Sequence, residues 1–259
     1  IVEGKENYLV DQVYDKTGQK GTGRWTIQEA AERGIAAPTI SAALTARNIS
    51  ALKSERIVAS KRFKAPPISL IPKDKQNDFV GQVRQALYAS KICSYTQGMN
   101  IIRQMAADKG WDKDDTWDIG GIASIWKEGC IIRARFLDEI TDAYKTYQEK
   151  EKKVLPSLLM ADKFSKGVED SEKAWRNVVI TAIQNGIATP AFSASLAYYD
   201  SYRRERLPAN LTQSQRDYFG AHTYQRLDGK PGNDKDGNIL FIHSEWTKPS
   251  EKHAEYAGK

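Results

Sequence analysis

Three groups of residues in this chain have the types and spacing to bind an anion. The first is Gln19-Lys20-Gly21-Thr22-Gly23-Arg24-Trp25, a glycine-interrupted basic loop just ahead of a helical pattern. Glycines let the backbone approach a ligand closely, a hydroxyl and an ammonium donate to phosphate oxygens, and a helix N-terminus favours negative charge. The loop is not a P-loop, because its spacing and its lysine position are wrong for one. A solvated surface loop accounts for the same residues. The second group centres on Arg47. On a helix opened by Pro38, positions 40, 43, 44, 47 and 51 share a face and read Ile40, Ala43, Leu44, Arg47 and Ala51. An arginine on an apolar stripe needs an anionic partner or an escape to water. A structural ion pair and a ligand phosphate both meet that need. The third group is Arg216 with His222, inside Gln215-Arg216-Asp217-Tyr218-Phe219-Gly220-Ala221-His222-Thr223-Tyr224. A single helical turn does not put these two on one face, so Gly220 is expected to end a helix and redirect His222. A satisfied surface histidine is the simpler alternative.

Other chemistries find little support. His222, His243 and His253 share no ligand spacing, so no metal site is expected. Two cysteines, Cys93 and Cys130, make neither a disulfide framework nor a zinc site. No Ser-His-Asp or Cys-His arrangement is visible. No Gly-x-Gly-x-x-Gly fingerprint follows a strand, so the chain is expected to carry no dinucleotide domain of its own. Arg133 and Arg135 read as structural ion-pair partners within a helical bundle.

Helical patterns must position these groups. Thr26-Ile27-Gln28-Glu29 reads as a capping box with Thr26 at the N-cap. Gly34 reads as the stop of that helix and Pro38 as the first turn of the next. Asn77 to Asp108 reads as one long helix broken at Gly110, and Gly120 to Tyr147 as one or two more. Asp162 to Asn185 reads as another, ended by Gly186. Thr212 suits a further cap, with Gln215 at its third helical position. The one β-flavoured piece is Asn238 to Trp246, after the turn-rich segment 229–237. The fold class predicted is all-α, with a helical domain over 1–228 and an extended C-terminal tail over 229–259.

The chain also echoes itself. Residues 34–44 and 186–196 agree at seven of eleven positions, each copy being a helix stop, a short link and a Pro-started helix. Similarity between alanine-rich helices could arise by chance. Read as a duplicated helical unit, the second copy is preceded by about 110 residues of helical sequence that begin near Asn77. The first copy has only residues 1–33 before it. The first unit is therefore expected to be incomplete here, with helices missing upstream of Ile1, and a chain that starts with Ile rather than Met fits truncation or processing.

Composition sets wider bounds. The chain has 259 residues, 40% apolar and 28% charged, with a net charge of +6. That is ordinary for a soluble globular protein, and such a charge is weak evidence for nucleic acid in the absence of an arginine-rich run or a recognisable motif. No window approaches the roughly 20 apolar residues a membrane helix needs, and no signal peptide is visible. A cytoplasmic home, with no membrane and no nucleic-acid partner, is expected.

Several long motifs bear on family: the basic loop Gln19–Thr26, Ala46-Arg47, Arg84–Ile92, Gly129–Arg133, Tyr199–Arg203, Leu207–Leu211 and Gln215–Tyr224. From about Tyr8 to Trp246 the chain resembles the decarboxylating 6-phosphogluconate dehydrogenases. The resemblance implies an NADP-dependent oxidoreductase of the pentose phosphate pathway that turns 6-phosphogluconate into ribulose 5-phosphate and carbon dioxide. It implies a homodimer whose subunits each have a Rossmann-like domain, a large helical domain with a duplicated unit, and a tail that threads into the partner. By the same resemblance Lys20, Thr22 and Arg47 hold the phosphate end of the substrate in their own subunit. Arg216, at the phosphate, and His222, at the hydroxyls, enter the opposite subunit's pocket. The family's catalytic lysine and glutamate, its cofactor fingerprint and its glycine-rich substrate loop lie upstream of Ile1, so this chain alone is expected to be inactive. Residues 113–119, the 229–237 segment and the end from Lys248 depart from the family pattern. A non-catalytic helical dimerisation module derived from that family is the alternative.

Overall fold

The computed structural model describes residues 8–112, 117–127, 136–227 and 232–247, and the backbone of 253–256. The helices are α1 (Thr22–Glu32), α2 (Pro38–Ala51), α3 (Lys53–Arg62), α4 (Gln76–Lys109), α5 (Ile119–Ile125), α6 (Phe136–Glu151), α7 (Asp162–Gln184), α8 (Pro190–Tyr202) and α9 (Ala209–Gly220). Two short strands follow, β1 (Phe241–Ser244) and β2 (His253–Tyr256), paired antiparallel with Phe241 opposite Tyr256. The all-α class expected from the sequence is what the chain adopts. Among the described residues, no helix is long and apolar enough to cross a membrane.

The chain divides into two compact units, Ile1–Asp200 and Ser201–Lys259. The core of the first unit is the packing of α4 against α7. Ala86, Ala89, Ile92 and Cys93 on α4 are fully buried, as are Phe164, Val168 and Trp175 on α7. Small residues let the helices approach closely. At Gly167 a Cβ would lie 2.9 Å from the ring of Tyr88, so any larger residue would force that ring or the helix to shift. Phe136, at the start of α6, closes the core edge-on against Tyr95 and Phe164.

The two echoed segments have the same local structure. After α1, Gly34 has φ +64° and the Ile35 amide returns to the Ala30 carbonyl at 2.8 Å. After α7, Gly186 has φ +65° and the Ile187 amide returns to Ala182 at 2.8 Å. Both are Schellman stops, and each precedes a helix begun by proline, Pro38 or Pro190. The copies meet at a buried polar knot. Thr39 Oγ1 and Ser195 Oγ are 2.8 Å apart, and Gln97 of α4 both accepts from the Thr39 amide and donates to its hydroxyl.

Two expected caps are corrected. Helix α1 begins at Thr22, behind Gly21 at φ 104°, so Thr26 lies inside it and donates to the Thr22 carbonyl at 2.9 Å. Helix α9 begins at Ala209, behind Pro208, so Thr212 is also interior. In both cases a glycine or proline starts the helix earlier than the hydroxyl would. Helix α9 packs with β1 within the second unit. Arg133, Arg135 and Cys130 lie outside the described residues.

Candidate anion-binding sites in the two units

In the first unit the basic loop is laced to α2. The Thr17 amide donates to Ser50 Oγ at 2.9 Å, and Gln19 Nε2 donates to Asn48 Oδ1 at 3.0 Å. Arg47 Nη2 donates to the Gly18 carbonyl. These bonds hold Arg47 beside the segment that carries Lys20 and Thr22, so the structure brings the three sequence-picked residues of this unit to one region. Lys20, Thr22 and Arg47 are all exposed. Thr22 is the first residue of α1, where backbone amides lack helical partners and attract negative charge. It also edges an apolar cavity of about 590 Å³ lined by Trp25, Ile40, Tyr95, Met99 and Trp126.

The stripe argument for Arg47 needs correction. Ala43, Arg47 and Ala51 are exposed, and Thr39 is the buried residue of α2. Arg47 therefore suffers no burial that a ligand must relieve; its partner is a backbone carbonyl. Nearby, Lys53 and Arg56 hydrogen-bond Asp15 and hold its carboxyl down at about 2, which keeps that acid charged and engaged with cations on α3.

In the second unit Arg216 and His222 line one cleft of about 820 Å³, together with Asn210, Gln213, Thr223 and Arg226. Helix α9 does end at Gly220, as expected, but the redirection comes from Ala221 and Thr223, with φ 50° and 58°. Gly220 serves another purpose. A Cβ there would sit 3.1 Å from Cδ2 and Nε2 of His222, so the bare glycine makes room for the ring. Arg216 Nη1 donates to Gln213 Oε1 at 2.9 Å. With two cationic or ionisable side chains and polar neighbours, the cleft suits an anion that also bears hydroxyls.

Asp217 is the residue holding the His222 turn that sequence reasoning missed. Its side chain is fully buried and accepts from the amides of Thr223 (2.8 Å) and Ser244 (3.0 Å) and from Trp246 Nε1 (2.9 Å). His243 Nδ1 lies 3.0 Å from it. Burial pushes the carboxyl up, but the Ser244 amide, His243, Trp246 and the Thr223 amide outweigh that and hold it below the ordinary range. Its partners lie up to 29 residues away in sequence, so no local pattern betrays it. Asp217 thereby ties the turn bearing His222 to β1.

Residues 2–246 match the family model for the 6-phosphogluconate dehydrogenase C-terminal domain. The chain belongs to the 6-phosphogluconate dehydrogenase family. It is 54% identical over 241 residues to 6-phosphogluconate dehydrogenase, decarboxylating 1 of Oryza sativa subsp. japonica, covering 93% of this chain and 46% of the relative. It is 53% identical over 246 residues to the Spinacia oleracea protein of the same name, covering 94% of this chain and 47% of that one. Among solved structures it is similar to Plasmodium falciparum 6-phosphogluconate dehydrogenase, described in apo form, with its cofactor NADP+ and with its substrate 6-phosphogluconate. That likeness has a TM-score of 0.79 at 43% identity and covers 93% of this chain and 48% of the other. The chain thus spans about half the length of the family members it matches.

Proposed function

We propose that this chain supplies the helical, substrate-binding and dimerising part of an NADP-dependent oxidoreductase. The enzyme oxidatively decarboxylates 6-phosphogluconate, producing ribulose 5-phosphate, carbon dioxide and NADPH. The observation that carries the reading is the bond from Arg47 to the Gly18 carbonyl, just before Lys20 and Thr22, in a chain of this family. Lys20 and Thr22 donate to the substrate phosphate from the N-terminus of α1, and Arg47 joins them as a planar donor. The second unit, which includes the 229–259 tail, reaches the partner subunit's pocket. There Arg216 meets the phosphate and His222 the sugar-acid hydroxyls. Two kinds of contact then fix the substrate at both ends, which is what positioning for hydride and proton transfer requires.

No strand-to-helix phosphate loop occurs among the described residues, so no NADP contact is assigned to this chain. The acid–base pair is likewise assigned to the half of the family members' length that this chain does not span, and these 259 residues alone are expected to be inactive. Exposed apolar side chains support the dimer. Val80 of α4 and Ile180 and Ile183 of α7 are 51–65% exposed. A second copy would cover them.

Purified chain 1–259 with 6-phosphogluconate and NADP is expected to form no NADPH above background. Turnover by that chain would contradict the assignment of the chemistry to residues outside these 259. In the intact polypeptide, Lys20→Ala is expected to raise the KM for 6-phosphogluconate and leave that for NADP nearly unchanged. The reverse pattern would sink the substrate assignment.

A further inference from the structure

The turn that carries His222 is held in a conformation its residues do not favour. Ala221 and Thr223 both lie in the left-handed region, with φ 50° and 58°, where non-glycine residues are uncommon. Such a turn persists where its surroundings over-determine it. Two side chains of α9 grip Thr223 from both sides. Asp217 Oδ1 accepts its amide at 2.8 Å, and Gln213 Nε2 donates to its carbonyl at 2.5 Å. The other end of the Gln213 amide, Oε1, accepts from Arg216 Nη1 at 2.9 Å. The orientation of that amide follows from chemistry. Flipped, it would set an NH2 group against a guanidinium and an oxygen against a carbonyl.

Resting on the reading of Arg216 and His222 as substrate-binding residues, we propose that Gln213 is a positioning residue for this half of the site. Its one amide locks the Arg216 guanidinium to the His222 turn, so both groups form a single preformed face for a phosphorylated sugar acid. Asp217, buried and anchored on β1, holds the opposite side of the same turn. A face ordered before the ligand arrives loses little conformational freedom on binding, which is where such a residue gains affinity. Gln213 is half-buried at the cleft wall, so it can be replaced without opening a core.

The test uses the intact polypeptide. Gln213→Met keeps the length of the side chain and removes both bonds. Gln213→Glu keeps an acceptor for Arg216, but turns an oxygen toward the Thr223 carbonyl and adds an anion that competes with phosphate. Gln213→Met is expected to raise the KM for 6-phosphogluconate about five- to tenfold and Gln213→Glu by more than about tenfold. The KM for NADP and the thermal midpoint should hardly move. In an Arg216→Ala background, Gln213→Met should change the KM by no more than about threefold, because most of what it positions is gone. An unchanged KM in Gln213→Met, or an undiminished effect in the Arg216→Ala background, overturns the proposal while leaving the substrate assignment intact. If Arg216→Ala itself leaves the KM unchanged, the substrate assignment of the cleft falls, and the proposal with it.

Discussion

At the scale of single residues, Gly220 matters for what it lacks. The sequence suggests a glycine that bends the chain, yet the bend sits at Ala221 and Thr223, and the glycine clears a place for the His222 ring. Gly220→Ala is therefore expected to shift the ring by a few tenths of an ångström and weaken 6-phosphogluconate binding by roughly 1 kcal/mol. The thermal midpoint should not fall, since alanine is the better helix former. Unaltered substrate affinity would mean the ring position is irrelevant. Arg216→Ala should cost more, roughly 2–4 kcal/mol in substrate binding, if one charge-assisted contact to a dianion is lost. Steady-state KM values for both substrates read the difference. Asp217 gives a pH dependence. Its carboxyl is held below the ordinary range in the folded protein. Its contribution to stability is complete above about pH 4 and is lost as pH falls through the folded value. Acid titration is expected to loosen the contact of α9 with β1, with a change in Trp246 fluorescence that Asp217→Asn shifts or abolishes. An acid transition identical in that variant would show that Asp217 is not its origin.

At the scale of elements, the two helix stops make a matched pair with different surroundings. Gly34 and Gly186 share the left-handed conformation, but a Cβ at Gly34 meets nothing within 4 Å, while one at Gly186 would lie 2.8 Å from Cδ of Pro66. Gly34→Ala is expected to cost about 1–2 kcal/mol, the ordinary penalty for an L-residue in that region. Gly186→Ala should cost more, and denaturant unfolding of the two variants would show it. Equal losses would mean that Pro66 yields freely. These stops were legible because helix punctuation is local: a glycine, a short link and a proline suffice, and the long α4 ends at Gly110 for the same reason. The starts of α1 and α9 were not, because a hydroxyl three residues before an acid or amide is a weaker signal than Gly21 or Pro208 nearby. Periodicity also misled at Arg47. It groups residues on one face but cannot say whether that face is covered, and the arginine's partner is the backbone of Gly18, which has no sequence signature. The buried knot of Thr39, Gln97 and Ser195 lay beyond sequence reasoning too, since its members come from α2, α4 and α8. Gln97→Leu would leave the Thr39 amide without its acceptor and should cost about 1–3 kcal/mol of stability.

At the scale of the whole molecule, the sequence-picked residues fall into two sets on two units: Lys20, Thr22 and Arg47 on Ile1–Asp200, and Arg216 and His222 on Ser201–Lys259. Each set is internally organised, the first by bonds between the basic loop and α2, the second by Gln213 and Asp217. The proposed function joins them across a homodimer. The measurement that bears on this most directly is the activity of mixed dimers of the intact polypeptide, with Lys20→Ala in one subunit and Arg216→Ala in the other. If the sets meet in trans, one pocket carries both lesions and its twin carries neither, so about half the sites should turn over at the wild-type rate. Activity no higher than that of the two single-variant homodimers would contradict the shared pocket and place both sets in the same subunit.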